Sequence, residues 1–395
     1  WGDLMEDVVI LSGVRTAIGA FGGALAETSA SDLAAKVIGE AVSRAGVDPA
    51  QVDQVVLGCV GQVAEDGYIA RHASVKGGMP IETPAYTVNR ICGSGLEAIN
   101  TAARWLQTGD ADIVVAGGTE NMSMMPYYLR QGRYGYKYGH SEIEDGTMHL
   151  VTDPFDKILM GETAENLAER YEVSREVQDE YSVQSQDRAH AAIEEGRFKD
   201  QVLPLEVKKG RDTVTFDTDE HPRQVDMDRL AGLRPVFREG GSVTAGNSSG
   251  INDGAAAVVV TTQAKADELG IKPRLRLIAR AESGVDPKIM GSGPIPAVEK
   301  VLAKAGLTVD DLDVIELNEA FASVAAACSV ALGLPREKTN PNGGAIALGH
   351  PVGATGTILT VKLMYELERT GGRYGLVTLC IGGGQGIASI FERVE

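Results

Sequence analysis

One stretch of this chain occurs twice. Arg44-Ala45-Gly46-Val47-Asp48-Pro49-Ala50-Gln51-Val52-Asp53-Gln54-Val55-Val56-Leu57 lines up without gaps on Lys304 to Leu317, taking Ala45 onto Ala305 and Asp53 onto Asp313. Each copy reads as a helix end, a glycine stop, a short acidic turn and an apolar strand. Beyond the copies the match continues more loosely. The helix after Cys92 corresponds to one opening at Gly353-Ala354-Thr355-Gly356, and Ile113 to Gly118 corresponds to Leu376 to Ile381. Chance likeness between two βα units is the alternative, and the gap-free run weighs against it. The expected architecture is a duplicated α/β domain.

Other elements fit that frame. Val8 to Leu11 and Val55 to Leu57 read as buried strands. Between the strands, a helix from Asp32 to Ala45 has Ser31 as its expected N-cap and Gly46 at its end. Alternating strands and helices imply a sheet covered by helices. About residues 119 to 250 break the pattern and are too long for a plain connection. They carry five tyrosines between Tyr127 and Tyr138, a charged helical segment from Glu162 to Arg197, and a hairpin-like run from Val202 to Phe216. Asp253 to Thr262 then returns to a buried strand. The expected division is 1–118 plus 251–271 for the first half, 119–250 for an inserted domain, and 272–395 for the second half.

A formal net charge of −18 argues against nucleic acid, which needs a basic surface. Four cysteines at scattered spacings make neither a disulfide framework nor a zinc pattern, so a cytoplasmic location and no metal are expected. No long apolar run suggests a membrane partner. Trp1 to Leu4, ahead of Met5, read as a remnant outside the native chain.

Cys92 lies between an extended apolar run (Tyr86, Val88, Ile91) and apolar positions at Leu96, Ile99, Ala103 and Leu106 that have helical spacing. A thiol at a helix N-terminus gains thiolate character and can act as a covalent nucleophile; alone, a cysteine is more often a small buried hydrophobe. Gly93 and Gly95 would let the backbone turn and approach a ligand closely. His350 stands in the glycine-dense run Gly343 to Gly356, which can present an imidazole to a cleft. Asn318 and Glu319 follow one strand; Cys380 ends another, ahead of Gly382-Gly383-Gly384. Open α/β sheets place ligands at such strand ends.

Asn89 to Gly95 (NRICGSG), Val243 to Gly250 (VTAGNSSG), Met290 to Pro296 (MGSGPIP), Asn318 to Phe321 (NEAF), Gly343 to Gly356 (GGAIALGHPVGATG) and Cys380 to Gly386 (CIGGGQG) together resemble the thiolase family of acyl-CoA acyltransferases. The resemblance covers nearly the whole chain. It implies a thiolase-like duplicated five-layer αβαβα core with two five-stranded halves and an inserted cap domain. It implies ping-pong Claisen chemistry on 3-ketoacyl-CoA through an acyl-cysteine, with acetyl-CoA acetyltransferase as the leading activity. A degradative 3-ketoacyl-CoA thiolase of broader chain length is the alternative. Cys92 would be the nucleophile, His350 its base and Cys380 the group that moves the α-proton. His350 with an Asn318-held water would serve one oxyanion, and the N–H groups of Cys92 and Gly382 the other. Glu319 would orient or tune the site.

The resemblance further implies coenzyme A contacts at Met160, Arg223, Phe237, Ser249, Met290 and Phe321. Ser249 would bond the pantetheine amide, the Met and Phe residues would wall a tunnel, and Arg223 would face the phosphates. Acyl-CoA is a substrate here, and no cofactor is held permanently. A homodimer is expected, with Tyr127 to Tyr138 pairing dimers into a homotetramer. One departure stands out: many short-chain biosynthetic thiolases have a histidine before this Met-Gly, where this chain has Leu159.

Three rivals compete. Gly93-Ser94-Gly95-Leu96-Glu97-Ala98 formally matches a dinucleotide-binding pattern, with Glu120 beyond the next strand. It explains neither His350 nor Cys380. A ketoacyl-synthase-like condensing enzyme would not supply Cys380 in CIGGGQG. A non-catalytic acyl-CoA-binding protein would not need Cys92, Asn318, His350 and Cys380 intact.

Overall fold

The computed structural model describes residues 6–62 and 64–395, so the reading of Trp1 to Leu4 lies outside it. The repeat is realised in three dimensions. The helix Ala30–Ala45 ends on Gly46 in the left-handed conformation, a single 3-10 turn spans Pro49–Gln51, and the strand Gln54–Gly58 follows. In the second copy the helix Pro294–Ala305, Gly306, the turn Val309–Asp311 and the strand Val314–Leu317 repeat the sequence of events. Capping boxes open both turns, from Asp48 and from Thr308.

The strands mirror each other about the centre of the chain. In the first half the order is Val8–Thr16, Asn252–Thr262, Ile113–Asn121, Gln54–Gly58, Ala85–Val88. In the second half it is Leu275–Gly284, Gln385–Arg393, Tyr374–Ile381, Val314–Leu317, and the fifth place is reduced to a single parallel bridge from Ile315 to Thr339. The halves meet edge to edge where Val9 and Ile10 pair with Arg276 and Leu275.

Between the two sheets lie the helices Ser94–Thr108 and Thr355–Thr370, packed on each other. Ala30–Ala45 covers the outer face of one sheet and Pro294–Ala305 that of the other. This is the expected five-layer arrangement. The central helices approach to backbone contact: a Cβ on Gly356 would lie 2.3 Å from Leu96 N, and one on Gly95 2.8 Å from Thr357 N. Thr357 Oγ1 donates to the Gly95 carbonyl across the crossing at 3.0 Å. Gly93 and Gly95 are therefore small because the other half packs on them, Ile381 against Gly93 included, and not because a ligand does.

Several local readings shift. The first helix is capped by Ser29, whose Oγ accepts from Asp32 N at 3.1 Å, and not by Ser31, which is buried inside the first turn. The first strand runs on to Thr16, and the Ile113 strand to Asn121. The charged segment is two helices, Met160–Arg170 and Arg175–Glu194, because Glu172 takes a left-handed φ of 55° and Ser174 starts a new N-cap. The hairpin is Leu205–Lys209 with Asp212–Phe216, while Val202–Leu203 pairs in parallel with Arg15–Thr16. That last pairing ties the insertion to the sheet. Arg15 reinforces it, fully buried and bidentate to Asp219 at 2.7 and 3.0 Å.

Candidate active site

Cys92 stands on a turn the chain must be held into. Ile91, β-branched, takes φ 45°, a conformation that costs such a residue ~1–3 kcal/mol. Its surroundings fix it there: Ile91 N donates to Asn89 Oδ1 at 3.0 Å, and Ser94 Oγ accepts from Arg90 N at 2.8 Å while donating to the Ile91 carbonyl at 2.7 Å. The result lifts the Cys92 side chain out of the strand direction just before the helix. The backbone N–H groups of Gly382 and of Cys92 itself favour negative charge on its sulfur.

Burial pushes the Cys92 thiol up to about 11, and those two N–H groups only partly offset it. The thiolate character expected from the helix N-terminus is therefore not the resting state. A helix terminus contributes at most ~2 kcal/mol in favourable partly buried settings, and desolvation of the sulfur outweighs it here. Cys92 is half-buried, whereas Cys59, Cys328 and Cys380 are buried.

His350 is buried, and burial pushes its imidazole down to about 4, so it is neutral at physiological pH. Its tautomer follows from its partners. Thr355 Oγ1 donates to the Pro351 carbonyl at 2.9 Å and lies 2.6 Å from His350 Nδ1, so Nδ1 carries the proton and donates to Thr355. Nε2 keeps its lone pair, facing Asn318 Nδ2 at 3.4 Å. An imidazole in this state is a ready acceptor for a thiol proton.

The loop carrying His350 is tied down from both halves. Asn252, at the start of a first-half strand, accepts from His350 N at 2.9 Å and donates to the Gly19 carbonyl at 3.0 Å. Gly349 takes φ 107°, and any Cβ there would strike the Asn252 amide. Glu120 accepts from Val60 N, Gly61 N and Gly353 N at 3.1, 2.8 and 2.8 Å. Wholly buried and spent on these bonds, it has nothing left for a ribose, which removes the dinucleotide reading. Glu319 is likewise buried and holds the loop, accepting from Ser185 Oγ at 2.6 Å, Asn340 Nδ2 at 2.8 Å and Ile346 N at 3.2 Å.

Cys92, His350 and Gly382 line one end of a pocket of about 500 Å³. Its wall includes Met160, Phe237, Ser249, Met290, Phe321 and Arg223, so all six expected coenzyme contacts meet around one space. Phe237 and Phe321 pack edge to face at 6.1 Å, and Phe237 lies so close to Gly161 that a Cβ there would sit 2.3 Å from its ring. Arg223 is exposed and anchored by a bond to the Ala245 carbonyl at 2.8 Å. Leu159 adds another apolar side chain to the wall. Asn318 and Cys380 stand behind this surface. Asn318 is buried beside His350, and the Cys380 sulfur is near enough to Cys92 that negative charge on one opposes it on the other. Burial pushes Cys380 well above an ordinary thiol.

The family models for the thiolase N-terminal domain and C-terminal domain match residues 8–264 and 271–393. The chain belongs to the thiolase family. It is an acyltransferase, 52% identical over 99% of its length to the whole of beta-ketothiolase BktB from Cupriavidus necator. Solved structures agree. The acetyl-CoA acetyltransferase of Bacillus anthracis superposes with a TM-score of 0.98 at 47% identity, over 99% of this chain and 100% of that one. Human mitochondrial 3-ketoacyl-CoA thiolase in complex with CoA superposes with a TM-score of 0.96 at 43% identity, over 99% of both chains. Among the described residues of this thiolase no helix is long and apolar enough to cross a membrane. Family membership removes the condensing-enzyme and binding-protein rivals.

Sequence reasoning missed Thr355, Asn252 and His221. His221 is half-buried on the pocket wall, its ring against Gly250, and burial beside Arg223 pushes it down to about 4. Thr355 and Asn252 lay inside or beside quoted motifs, but only the fold reveals their partners.

Proposed function

We propose that this thiolase makes and cleaves 3-ketoacyl-CoA through an acyl group on Cys92, with acetyl-CoA as its principal acyl donor. The observation that carries the reading is the pocket itself, an apolar channel of about 500 Å³ with a thiol, a neutral imidazole and a pair of backbone N–H groups at one end. The Cys92 sulfur attacks the thioester carbonyl while His350 Nε2 takes its proton. The carbonyl oxygen becomes an oxyanion within reach of the Cys92 and Gly382 N–H groups, each such donor being worth ~3 kcal/mol of barrier. Coenzyme A then leaves with the proton His350 returns.

In the second half-reaction the α-proton of an incoming acetyl-CoA goes to Cys380 in its thiolate form, the resulting carbanion attacks the acyl carbon on Cys92, the acyl–sulfur bond breaks, and the departing Cys92 thiolate takes that proton back from Cys380. The enolate oxygen is met by a water held on the Asn318 amide, which gives one hydrogen to the oxygen and the other to the His350 Nε2 lone pair. A thiol pushed upward by burial suits both directions: it stays protonated for cleavage, and its thiolate is a stronger base for synthesis. Coenzyme A lies along Met160, Phe237, Met290 and Phe321, with Ser249 at the pantetheine and Arg223 at the phosphates; that a relative was solved in complex with CoA supports the ligand class. We keep the division into halves at 1–118 plus 251–271 and 272–395, with 119–250 as the cap. A cytoplasmic homodimer or homotetramer completes the reading.

Leu159 and the apolar wall favour a second reading, a 3-ketoacyl-CoA thiolase of broader chain length. Thiolysis rates with coenzyme A across acetoacetyl-CoA and longer 3-ketoacyl-CoAs decide between them. A rate highest for acetoacetyl-CoA supports the first reading, a flat or rising series the second, and no cleavage of any length refutes both.

A further inference from the structure

Behind His350 lies a second, much smaller cavity of about 10 Å³, whose lining includes Asn318, Gly344, Thr355 and Lys362. That size is near the lower limit for one water, which also needs polar partners. The walls offer them. Asn318 Oδ1 is buried with no hydrogen-bond partner among the described residues. Lys362, on the same face of the central helix as Thr355, is buried and donates to Glu316 Oε2 at 2.7 Å and to the Gly343 carbonyl at 2.8 Å. An ammonium has three N–H groups, so one remains.

The setting is costly. Two charges taken out of water lose about as much by desolvation as they gain by attraction, so a buried Lys362–Glu316 pair is weak evidence of a stabilising device. Glu316 and Asn318, two residues apart at the end of one strand, both lie against the central helix. The charge pair thus sits directly beside the amide that flanks His350.

Which end of that amide faces the reaction matters. The oxygen and NH2 of an asparagine are nearly the same size, so packing alone does not choose between them. With Nδ2 toward His350 Nε2 the amide offers donors to a developing oxyanion. Turned over, its oxygen would oppose both the imidazole lone pair and the oxyanion.

We infer that Lys362 is a positioning residue for Asn318: through one water in the inner cavity it holds Oδ1 inward and thereby presents the amide NH2 to the pocket. A water that accepts from an ammonium has both its own hydrogens left to donate, and Oδ1 is the buried acceptor on this wall without a partner among the described residues, so the water favours the oxygen end over the NH2 end. The inference rests on the role proposed above for Asn318.

The test is a double-mutant cycle on the holo reaction, reading condensation of acetyl-CoA and acetylation of Cys92 separately in wild type, Lys362→Met, Asn318→Ala and the double variant. Lys362→Met is expected to lower condensation about tenfold in wild type, to lower the ratio of condensation to acetylation, and to change condensation less than about twofold once Asn318 is alanine. Equal losses in both backgrounds would overturn the inference, since Lys362 would then act on something other than Asn318. If Asn318→Ala alone leaves condensation intact, the role of Asn318 itself fails, and the inference with it. Should Lys362→Met not fold, Glu316→Leu/Lys362→Met leaves no uncompensated buried charge and carries the same comparison with the same two outcomes.

Discussion

Thr355 spends its own hydroxyl proton on the Pro351 carbonyl and therefore meets His350 Nδ1, 2.6 Å away, as an acceptor. This one relationship fixes the imidazole as an Nδ1–H tautomer with a free Nε2. Thr355→Val keeps the shape and removes the acceptor. Acetylation of Cys92 should fall about tenfold, the kinetic equivalent of one neutral hydrogen bond, and Thr355→Ser should restore most of it. Rapid-quench measurement of the acetyl-enzyme checks this; a Thr355→Val protein as fast as wild type would show that Nε2 does not depend on Thr355.

Cys92 rests as a thiol near pKa 11, so its alkylation by iodoacetamide should climb about tenfold per pH unit from neutrality towards that value. Being half-buried where the other three cysteines are buried, it should still label first, and acetyl-CoA should protect it. Peptide mapping against pH decides: a plateau already at pH 7, or Cys59 labelled ahead of Cys92, contradicts the assignment.

Gly161 is where the Phe237 ring enters the pocket wall. Gly161→Ala must push that ring away, because its Cβ would lie 2.3 Å from the ring atoms. The expected effect is a KM for acyl-CoA raised roughly tenfold, with a smaller change in kcat, since the reacting atoms at Cys92 are untouched. Steady-state kinetics that showed kcat falling and KM unchanged would place Phe237 outside the coenzyme wall.

Tyr127, Tyr134 and Tyr138 are 67%, 87% and 104% exposed, an unusual concentration of aromatic surface. Replacing all three by serine should reduce a tetramer to dimers in light scattering without changing the acetylation rate. A wild-type protein that is monomeric, or a variant that stays tetrameric, refutes this assembly.

The duplicated architecture was legible because a turn signal is local: Gly46 and Gly306 each stop a helix, and the next apolar run can only be a strand. Cys92, His350 and Cys380 stood out in the sequence because each lies in a glycine-dense motif, although Gly93 and Gly95 prove to serve the packing of one half on the other. The charge state of Cys92 was not legible. A helix N-terminus is visible in a sequence, but the burial that outweighs it comes only when segments far apart in the chain close around the pocket. Thr355 and Asn252 were hidden for the same reason, and Lys362 more deeply still. On paper it is one more lysine in a helix, and only the fold shows it buried against Glu316.

The two active-site thiols are expected to do different work, Cys92 carrying the acyl group and Cys380 moving the α-proton. Intact-protein mass spectrometry after acetyl-CoA is added reads this directly. Cys380→Ser should still gain one acetyl group while losing most condensation, and Cys92→Ala should gain none. An acetyl group on Cys92→Ala, with none on Cys380→Ser, would mean that the two roles are reversed.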